Sequence, residues 1–454
     1  MAASTSDISF DKLAGKLAAV HPAGTAGFER ARDRAIWNKR LAQARTPDVI
    51  VSVDSAEQAA EVVRFAKARG LTVSPRGGGH NYEASPLRDG GILLDLGGLA
   101  DVEVDAAART AKVGVGILGS ALSEKLAKHG LAFPIGHCVD VALSGYLIAG
   151  GFGWNAGEWG AACANVEEIE MVTAAGEIVV ASADEHAELF WAARGCGPGF
   201  FAAATAFHLT LHPLPTTAYS WRAAFAASSA PELAEWLTDT VAAAPPQTEV
   251  GCFLFAHWDT GEHAIVLRVS ACGDNEADAR RKVAAFTSPP RGARMIGEVK
   301  EGPLPFTELF KLSPMPSGKR VAADHVWSDA AIGDLLLAVH RLPAPSPDST
   351  IDIVAFGGHT PVAMPKDAAL TVSGGTGVGI YGLWDEAADD AANRAWVRRV
   401  DEALAPYRTG RYVGEADLTL GPHRRAECFT PDALERLEAI RRRYDPDGLF
   451  PPWP

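Results

Sequence analysis

The sequence has 454 residues, of which 47% are hydrophobic and 22% charged. This balance is typical of a folded chain of two or three domains and excludes extensive disorder. The formal charge of −14 makes nucleic acid and anionic membranes poor partners. The six cysteines are scattered, residues 1–10 do not have the pattern of a signal peptide, and no apolar run reaches about 18 residues, so we expect a protein of the reducing cytoplasm.

The first 215 residues are predicted to alternate short strands, helices and glycine-rich loops. Residues 1–45 are expected to be helical, and residues 134–160 to form a loop with little regular structure. The other predicted elements of this part, in chain order, are strands at 49–53, 71–74, 92–96 and 110–115, helices at 56–69 and 117–129, a hairpin over 169–180, a helix at 184–194 and a strand at 207–211.

The pattern of predicted strands and helices changes near residue 215, which predicts a domain boundary there. The next part is expected to be an antiparallel sheet backed by helices. Residues 287–325 carry many Pro, Gly and Ser and are expected to form long loops. The predicted strands are 219–226, 250–257, 263–271, 351–358 and 377–383, and the predicted helices are 230–243, 274–286, 328–341, 386–404 and, near the end, 431–444.

The first segment that could carry chemistry comes directly after a predicted strand and runs from Arg76 through Gly77, Gly78 and Gly79 to His80 and Asn81. Consecutive glycines let the backbone approach a phosphate and direct several N–H groups at it. His80 is placed at the loop end to react or to bind. The alternative is a tight turn with an exposed histidine.

A second glycine-rich segment surrounds Cys138. Long glycine-rich loops inside compact domains are uncommon unless they are functional, so we favour backbone wrapped around a ligand over a surface loop with an inert thiol. The glycines of this segment are Gly136, Gly145, Gly150, Gly151 and Gly153.

A third segment, Gly114 to Gly119, matches G-x-G-x-x-G, and Asp140 lies 21 residues beyond Gly119. This is the outline of a dinucleotide-binding fingerprint. The strand before it is, however, the second arm of a hairpin-like pair rather than the first strand of a βαβ unit. We therefore reject a Rossmann domain.

Together these segments resemble the FAD-binding domain of the vanillyl-alcohol-oxidase / p-cresol-methylhydroxylase superfamily, and within it the berberine-bridge-enzyme-like oxidases. The resemblance covers about 40–215 strongly and 405–454 moderately, and the middle of the chain only weakly. The matched pieces are Trp37-Asn38, Arg76 to His80, Asp95-Leu96, Phe133 to Cys138, Gly145, Gly150 to Gly153, Thr173 to Gly176, Leu189 to Gly195 and Tyr444 to Phe450.

The resemblance implies an α+β fold with two domains. Residues 1–215, with a core at about 40–215, would form the FAD-binding domain, completed by 405–454, and 216–404 would bind the substrate. FAD would be held covalently, by an 8α-histidyl bond from His80 and a 6-S-cysteinyl bond from Cys138. The cofactor-binding residues it implies are Arg76, Gly77, Gly78, Gly79, His80, Asn81, Gly136, Cys138, Gly145, Gly150, Gly151, Gly153 and Val166.

The implied reaction takes a hydride from a C–H next to an OH or NH of an alcohol, a sugar or an alkaloid-like amine, and reduces O2 to H2O2. The alternatives are a dehydrogenase with another electron acceptor and a flavin-binding protein without turnover. We expect a monomer or homodimer, and no metal site, because no HxH, HExxH or cysteine cluster occurs.

The catalytic base is harder to place, because Trp159 stands where the family can have a tyrosine, and Ala164 replaces a usual aspartate. Two other family positions fall on Glu415 and near Tyr381. We predict that Tyr381 or Glu415 is the base, with Tyr412 nearby. The alternatives are a salt-bridged surface carboxylate for Glu415 and a core-packed aromatic for Tyr381.

Overall fold

The computed structural model describes residues 10, 15, 17–313 and 315–454. The predicted absence of a signal peptide concerns residues 1–9 above all, which lie outside the described residues. The helical prediction for 1–45 is wrong in the described part, because residues 19–22 pair as a strand and only ten residues, 26–35, are α-helical. Pairing with a distant strand overrides the local helical composition there.

Residues 19–215 form two sheets, a small two-stranded pair and six helices. The strands are β1 (Ala19–Pro22), β2 (Val49–Ser52), β3 (Val73–Arg76), β4 (Ile92–Asp95), β5 (Val102–Asp105), β6 (Thr110–Gly114), β7 (Leu131–Ala132), β8 (Val166–Val172), β9 (Ile178–Ser182), β10 (Ala203–Thr210) and β11 (His212–Pro213). The helices are α1 (Ala26–Ala35), α2 (Ala56–Lys67), α3 (Gly119–Ala127), α4 (Leu143–Ile148), α5 (Ala156–Trp159) and α6 (Ala187–Ala193).

The first sheet has the order β1-β2-β4-β3, and β2, β4 and β3 run parallel. The second has the order β5-β6-β10-β8-β9 and is antiparallel. Helices α4 and α5 lie inside the segment predicted to lack regular structure, so that prediction is wrong there. Leu143 and Leu147 of α4 are buried in the core, and this burial stabilises a helix too short to form by propensity alone.

The rejection of a Rossmann domain is confirmed. The strand before the G-x-G-x-x-G segment, β6, pairs antiparallel with both β5 and β10. A dinucleotide-binding βαβ unit needs a parallel strand at this point.

Residues 217–410 carry an eight-stranded sheet of order β15-β12-β14-β13-β17-β18-β16-β19. Its strands are β12 (Thr217–Ala226), β13 (Thr248–Ala256), β14 (His263–Gly273), β15 (Met295–Leu304), β16 (Arg320–Ser328), β17 (Thr350–Phe356), β18 (Thr376–Trp384) and β19 (Arg408–Gly410). The remaining helices are α7 (Ala230–Ala243), α8 (Glu276–Val283), α9 (Ile332–Val339), α10 (Asp390–Leu404), α11 (Pro422–Ala426) and α12 (Pro431–Tyr444).

The prediction of long loops over 287–325 is wrong, because β15 and the start of β16 lie there. Strand β15 has no clear alternation and is mostly exposed, and its pairing with β12 at the sheet edge decides its conformation. Strand β16 is buried although it contains Asp324 and His325, two residues that read as loop by composition.

Helices pack on one face of this sheet, and the other face turns toward the first part of the chain. On β12, Trp221 and Phe225 lie in the helix-side core, whereas Arg222 on the opposite face lines a cavity. The last helix, α12, returns to the core of the first part through Leu437 and Ile440. The predicted α+β class, with a second antiparallel sheet backed by helices, is confirmed. None of the helices described is long and apolar enough to cross a membrane.

Candidate functional site

A cavity of about 950 Å³ lies between the glycine-rich loops of the first part and the open face of the eight-stranded sheet. One wall comes from the loop after β3, residues 77–82, and from residues 136–145. The other wall comes from strands β12, β13, β14, β16, β17 and β18 and from the segment around Tyr412 and Glu415. A cavity with walls from two sheets can hold a large ligand while burying most of its surface.

The register of the sheet decides which side chains face the cavity. Asp352 on β17 lies opposite Phe253 on β13 and Gly379 on β18. Tyr381 lies two residues beyond Gly379 on β18 and on the same face of the sheet. A side chain at Gly379 would collide with the Tyr381 ring, so the glycine lets this tyrosine lie over the strand and extend into the cavity.

His80 lines the cavity from the loop after β3. Its ring stacks on Trp37 at 4.6 Å and meets Tyr82 edge-on at 5.9 Å. Its Nε2 atom lies 3.3 Å from a carboxylate oxygen of Asp140 but out of line for a hydrogen bond, and it is buried with no hydrogen-bond partner among the described residues. Asp140 is near enough to His80 for the imidazole to lower the pKa of that carboxyl, but the buried Nε2 atom has no well-aligned hydrogen bond with a described residue, which leaves it able to bond a group in the cavity.

Cys138 lines the same cavity, so the two residues expected to attach a flavin face one space. All six cysteines are free thiols. Burial, with the nearby Asp140 and Glu415, raises the pKa of the Cys138 thiol to about 12, which keeps it protonated at neutral pH.

The five predicted glycines that line the cavity fall into two groups. Gly136 and Gly145 line the cavity, and a Cβ at Gly145 would meet no protein atom within 4 Å, so open space for a ligand lies beside this backbone. Gly77, Gly78 and Gly79 also line the cavity, but a side chain at any of them would collide with other parts of the chain.

Five predicted cofactor residues do not line the cavity. Arg76 donates to Asp95 at 2.9 Å and to backbone carbonyls of α1, so it ties the loop to the sheet. Asn81 is not one of these five, because it does line the cavity. Its side-chain oxygen, however, accepts hydrogen bonds from Ser85 and Glu83 within its own turn. The five residues are Arg76, Gly150, Gly151, Gly153 and Val166, and their contacts support the walls from behind.

The three predicted catalytic residues all line the cavity. The Tyr381 hydroxyl donates to a carboxylate oxygen of Glu415 at 2.6 Å. Burial raises the pKa of Glu415, and burial together with the Glu415 charge raises the pKa of Tyr381 well above its usual value. The Tyr412 hydroxyl accepts a hydrogen bond from the backbone N–H of Gly151 at 3.2 Å.

The structure treats the alternatives for the two candidate bases differently. Glu415 forms no salt bridge with any described residue and lies inside the cavity rather than on the outer surface. The Tyr381 ring is 8% exposed and packs in a small apolar cluster, as the core-packed alternative expects, while its hydroxyl donates to Glu415 at the cavity wall.

Sequence reasoning missed a buried cluster that connects the two walls. Glu249 on β13 accepts from His137 at 3.1 Å and from Arg268 at 3.1 Å. Burial alone would raise the pKa of Glu249, but His137 and Arg268 lower it overall, so the carboxylate is charged. The Arg268 guanidinium also lies over the rings of Trp154 and Phe253.

This cluster holds the residue before Cys138 against the sheet. No sequence signal could have found it, because His137 and Glu249 are 112 residues apart and their pairing follows only from the way the two parts meet. Asp352 was missed for the same reason. A hint did exist in Gly377 and Gly379, which interrupt a predicted central strand.

Comparison with known proteins agrees with this geometry. Residues 47–182 match the FAD binding domain family. (R)-6-hydroxynicotine oxidase of Paenarthrobacter nicotinovorans is 28% identical over 430 residues, which cover 91% of this chain and 92% of that protein. The FAD-linked oxidoreductase nodO of Hypoxylon pulicicidum is 26% identical, with 93% of each chain covered. This chain is an FAD-linked oxidoreductase.

Solved structures place the oxidoreductase in the same superfamily as the sequence motifs did. It superposes on 6-hydroxy-D-nicotine oxidase of Arthrobacter nicotinovorans with a TM-score of 0.81 at 26% identity, covering 95% of this chain and 96% of that one. A berberine-bridge-enzyme-like protein of Physcomitrella patens gives a TM-score of 0.84 at 19% identity, with 98% of each chain covered, and shares the fold. The predicted resemblance to berberine-bridge-enzyme-like oxidases is confirmed.

Proposed function

We propose that this FAD-linked oxidoreductase is a covalently flavinylated oxidase of small molecules. One observation carries the proposal: His80, Cys138 and the Tyr381–Glu415 pair line one cavity, although more than 300 residues separate the first of them from the last. An attachment histidine, an attachment thiol and a proton acceptor are thus found around a single space.

The residues present are suited to holding FAD. The Nε2 atom of His80 is buried without a hydrogen-bond partner, and the open space beside Gly145 provides room at the wall opposite the sheet. The cofactor would be gripped by loop 77–82 and by the segment that contains Gly136 and Cys138. When bound, FAD supplies a two-electron acceptor for a hydride from a substrate carbon.

The chain's own part in this chemistry is to bind the substrate and to accept its proton. Glu415 carries the basic oxygens, and its raised pKa brings its proton affinity closer to that of a base useful near neutral pH. Tyr381 donates to Glu415 at 2.6 Å, which orients the carboxylate and offers a path for the proton from the substrate to Glu415 through the phenol oxygen. Tyr412, bonded to the Gly151 backbone, supports this wall.

The covalent attachment is tested on the denatured protein. Precipitated with acid and washed, the wild-type protein should keep its yellow colour. His80→Ala and Cys138→Ala should each keep a protein-bound flavin through the remaining tether, and the double variant should release all of it. His129→Ala, at an exposed histidine, and Cys163→Ala, at a buried cysteine away from the cavity, are the matched controls. Complete loss of colour from the wild type would contradict the tethers.

The oxidase activity is tested by the fate of the reduced flavin. After anaerobic reduction, admission of air should return the oxidised spectrum within seconds and produce H2O2 in equal amount. A return over many minutes, with fast return on addition of an artificial electron acceptor, would identify a dehydrogenase instead. A flavin that no alcohol, sugar or amine bleaches would indicate a binding protein without turnover.

A further inference from the structure

The acidic end of the cavity has no cation of its own. Asp352 and Glu415 both line it, and neither forms a salt bridge with any residue in the described part of the chain. Asp352 accepts a hydrogen bond from the Thr350 hydroxyl at 2.6 Å, and Glu415 accepts one from Tyr381. Each carboxylate therefore keeps one oxygen free of these bonds.

Cations elsewhere in the cavity are engaged or distant. The charge of Arg268 acts on Asp352, but its hydrogen bonds go to Glu249, to a backbone carbonyl and to the Ser313 hydroxyl, and it forms no salt bridge with Asp352. Arg88 donates to two backbone carbonyls at the opposite wall. Arg222 lies on β12, three strands from the strand of Asp352, which is about 14 Å at the usual strand spacing.

Sheet register places the acidic groups together. Asp352 lies opposite Gly379 in the β17–β18 pair. Tyr381 is the diagonal neighbour of Asp352 on the same face of the sheet, and its hydroxyl donates a hydrogen bond to Glu415. The Tyr381 ring lies over Gly379, and both carboxylates line the cavity beside it, so one ligand in the cavity can meet both. Burial raises the pKa of Asp352 to about 6, and the Glu415 charge adds to this rise, although the Thr350 hydroxyl and the Arg268 charge lower it.

We infer that the substrate is an amine bound as its ammonium ion, with Asp352 as the residue that recognises the cation. This inference rests on the proposed function. An alcohol or a sugar would leave the two carboxylates facing each other without neutralisation, whereas an ammonium donates hydrogen bonds to both and compensates their charge.

Atoms and electrons balance in this reaction. The substrate ammonium, which carries a hydrogen on its α-carbon, loses one N–H proton to Glu415, directly or through the Tyr381 hydroxyl. Bound FAD would supply the two-electron acceptor for that α-hydrogen, which would leave the neutral amine as a hydride with both electrons of the C–H bond. A carbon–nitrogen double bond would form, and the substrate would leave as an iminium ion, which water hydrolyses to a carbonyl compound and an ammonium ion. Asp352 stays ionised and stabilises the positive nitrogen at the start and at the end.

The test compares charged probes with neutral ones of the same shape. Benzylamine and 2-phenylpyrrolidine are titrated into the purified holoprotein at pH 7.5, beside benzyl alcohol and 2-phenyltetrahydrofuran, and binding is followed by calorimetry. We expect each amine to bind about 10-fold or more tightly than its neutral partner. Asp352→Asn should weaken amine binding by about 10- to 100-fold and leave the neutral probes within about threefold.

Two further variants separate charge from folding. Asp352→Glu should restore part of the amine affinity. Asp348→Asn is the matched control, since Asp348 lines the same cavity but is already paired with Lys319 at 2.7 Å, and it should not change the preference for amines. Unchanged flavin content would show that each variant is folded.

Equal affinity for amines and neutral probes, or no binding of either, would overturn the inference. So would an equal loss of both classes in Asp352→Asn. The titrations use protein whose flavin has been reduced with dithionite, without oxygen, so the probes bind without being oxidised and this failure is distinct from failure of the proposed function. A flavin-loaded protein bleached by alcohols and not by amines would leave the oxidase proposal standing and the amine inference wrong.

Discussion

Replacement of Asn38 by alanine should destabilise the protein far more than its size suggests. Asn38 is completely buried, and its side chain bonds to three separate segments. Its Nδ2 donates to the carbonyl oxygens of Tyr82 at 2.6 Å and Val321 at 3.1 Å. Its Oδ1 accepts from the backbone N–H groups of Val321 at 3.0 Å and Arg40 at 3.0 Å.

The magnitude follows from what Asn38→Ala leaves behind. The N–H groups of Val321 and Arg40 and the carbonyl of Tyr82 each lose a side-chain partner, whereas the Val321 carbonyl keeps a bond from Arg40. Each buried polar group left without a partner costs about 1–3 kcal/mol, so three such groups predict a loss of about 3–9 kcal/mol in the free energy of unfolding. The cost falls on the junction between the His80 loop and the eight-stranded sheet.

Urea unfolding followed by tryptophan fluorescence measures this loss. Asn275→Ala is the matched control, because Asn275 is exposed and makes one capping bond, to the N–H of Asp278 at 3.0 Å. Loss of such a cap costs about 1 kcal/mol. If Asn38→Ala shifts the midpoint no more than Asn275→Ala does, then Asn38 does not join these segments and the reasoning is refuted.

Three further predictions concern the site and the loops around it. Glu415→Gln and Tyr381→Phe should each slow anaerobic flavin reduction, by about 10²- to 10⁴-fold for the residue that is the base, and rates within threefold of wild type for both would exclude them. Burial raises the pKa of Glu83 to about 7, above the ordinary value of 4.5, so its contribution to stability is greatest below pH 4.5 and declines as the pH rises to about 7. Glu83→Gln should flatten that decline in urea midpoints measured from pH 5 to 8, and an unchanged slope would contradict the assignment. A side chain at Gly153 would collide with a backbone carbonyl, so Gly153→Ala should lower stability by about 1–3 kcal/mol in thermal unfolding. Gly302→Ala, where the added Cβ meets nothing, should not.

Much of the fold was predictable because its signals are local. The spacing of apolar residues predicted α7 and the helix at 431–444 with the bounds that the structure has, and alternating β-branched residues predicted the β8–β9 hairpin. Strands β15 and β16 escaped because their composition is polar or rich in glycine and proline, and only pairing within the eight-stranded sheet makes them strands.

The candidate site divides in the same way. Residues that stand within a glycine-rich motif, such as His80 and Cys138, could be predicted as site residues from the sequence. A backbone that must approach a ligand needs glycine at neighbouring positions, and those glycines are visible in the sequence. Arg76 shows the limit of this reasoning, since the motif singled it out for the cofactor and the structure has it bonded to Asp95 and to α1.

The sequence by itself determined the strands and helices whose patterns repeat over a few residues, and the loops in which glycines cluster. Only the tertiary structure decided that His137 meets Glu249, that Asp352 lies beside the Tyr381–Glu415 pair, and that all of them share one cavity. The physical reason is the distance along the chain over which each kind of interaction acts. Backbone preference and hydrophobic periodicity act between near neighbours, whereas the pairing of buried charges depends on how segments more than 100 residues apart are brought together by the sheet and its core.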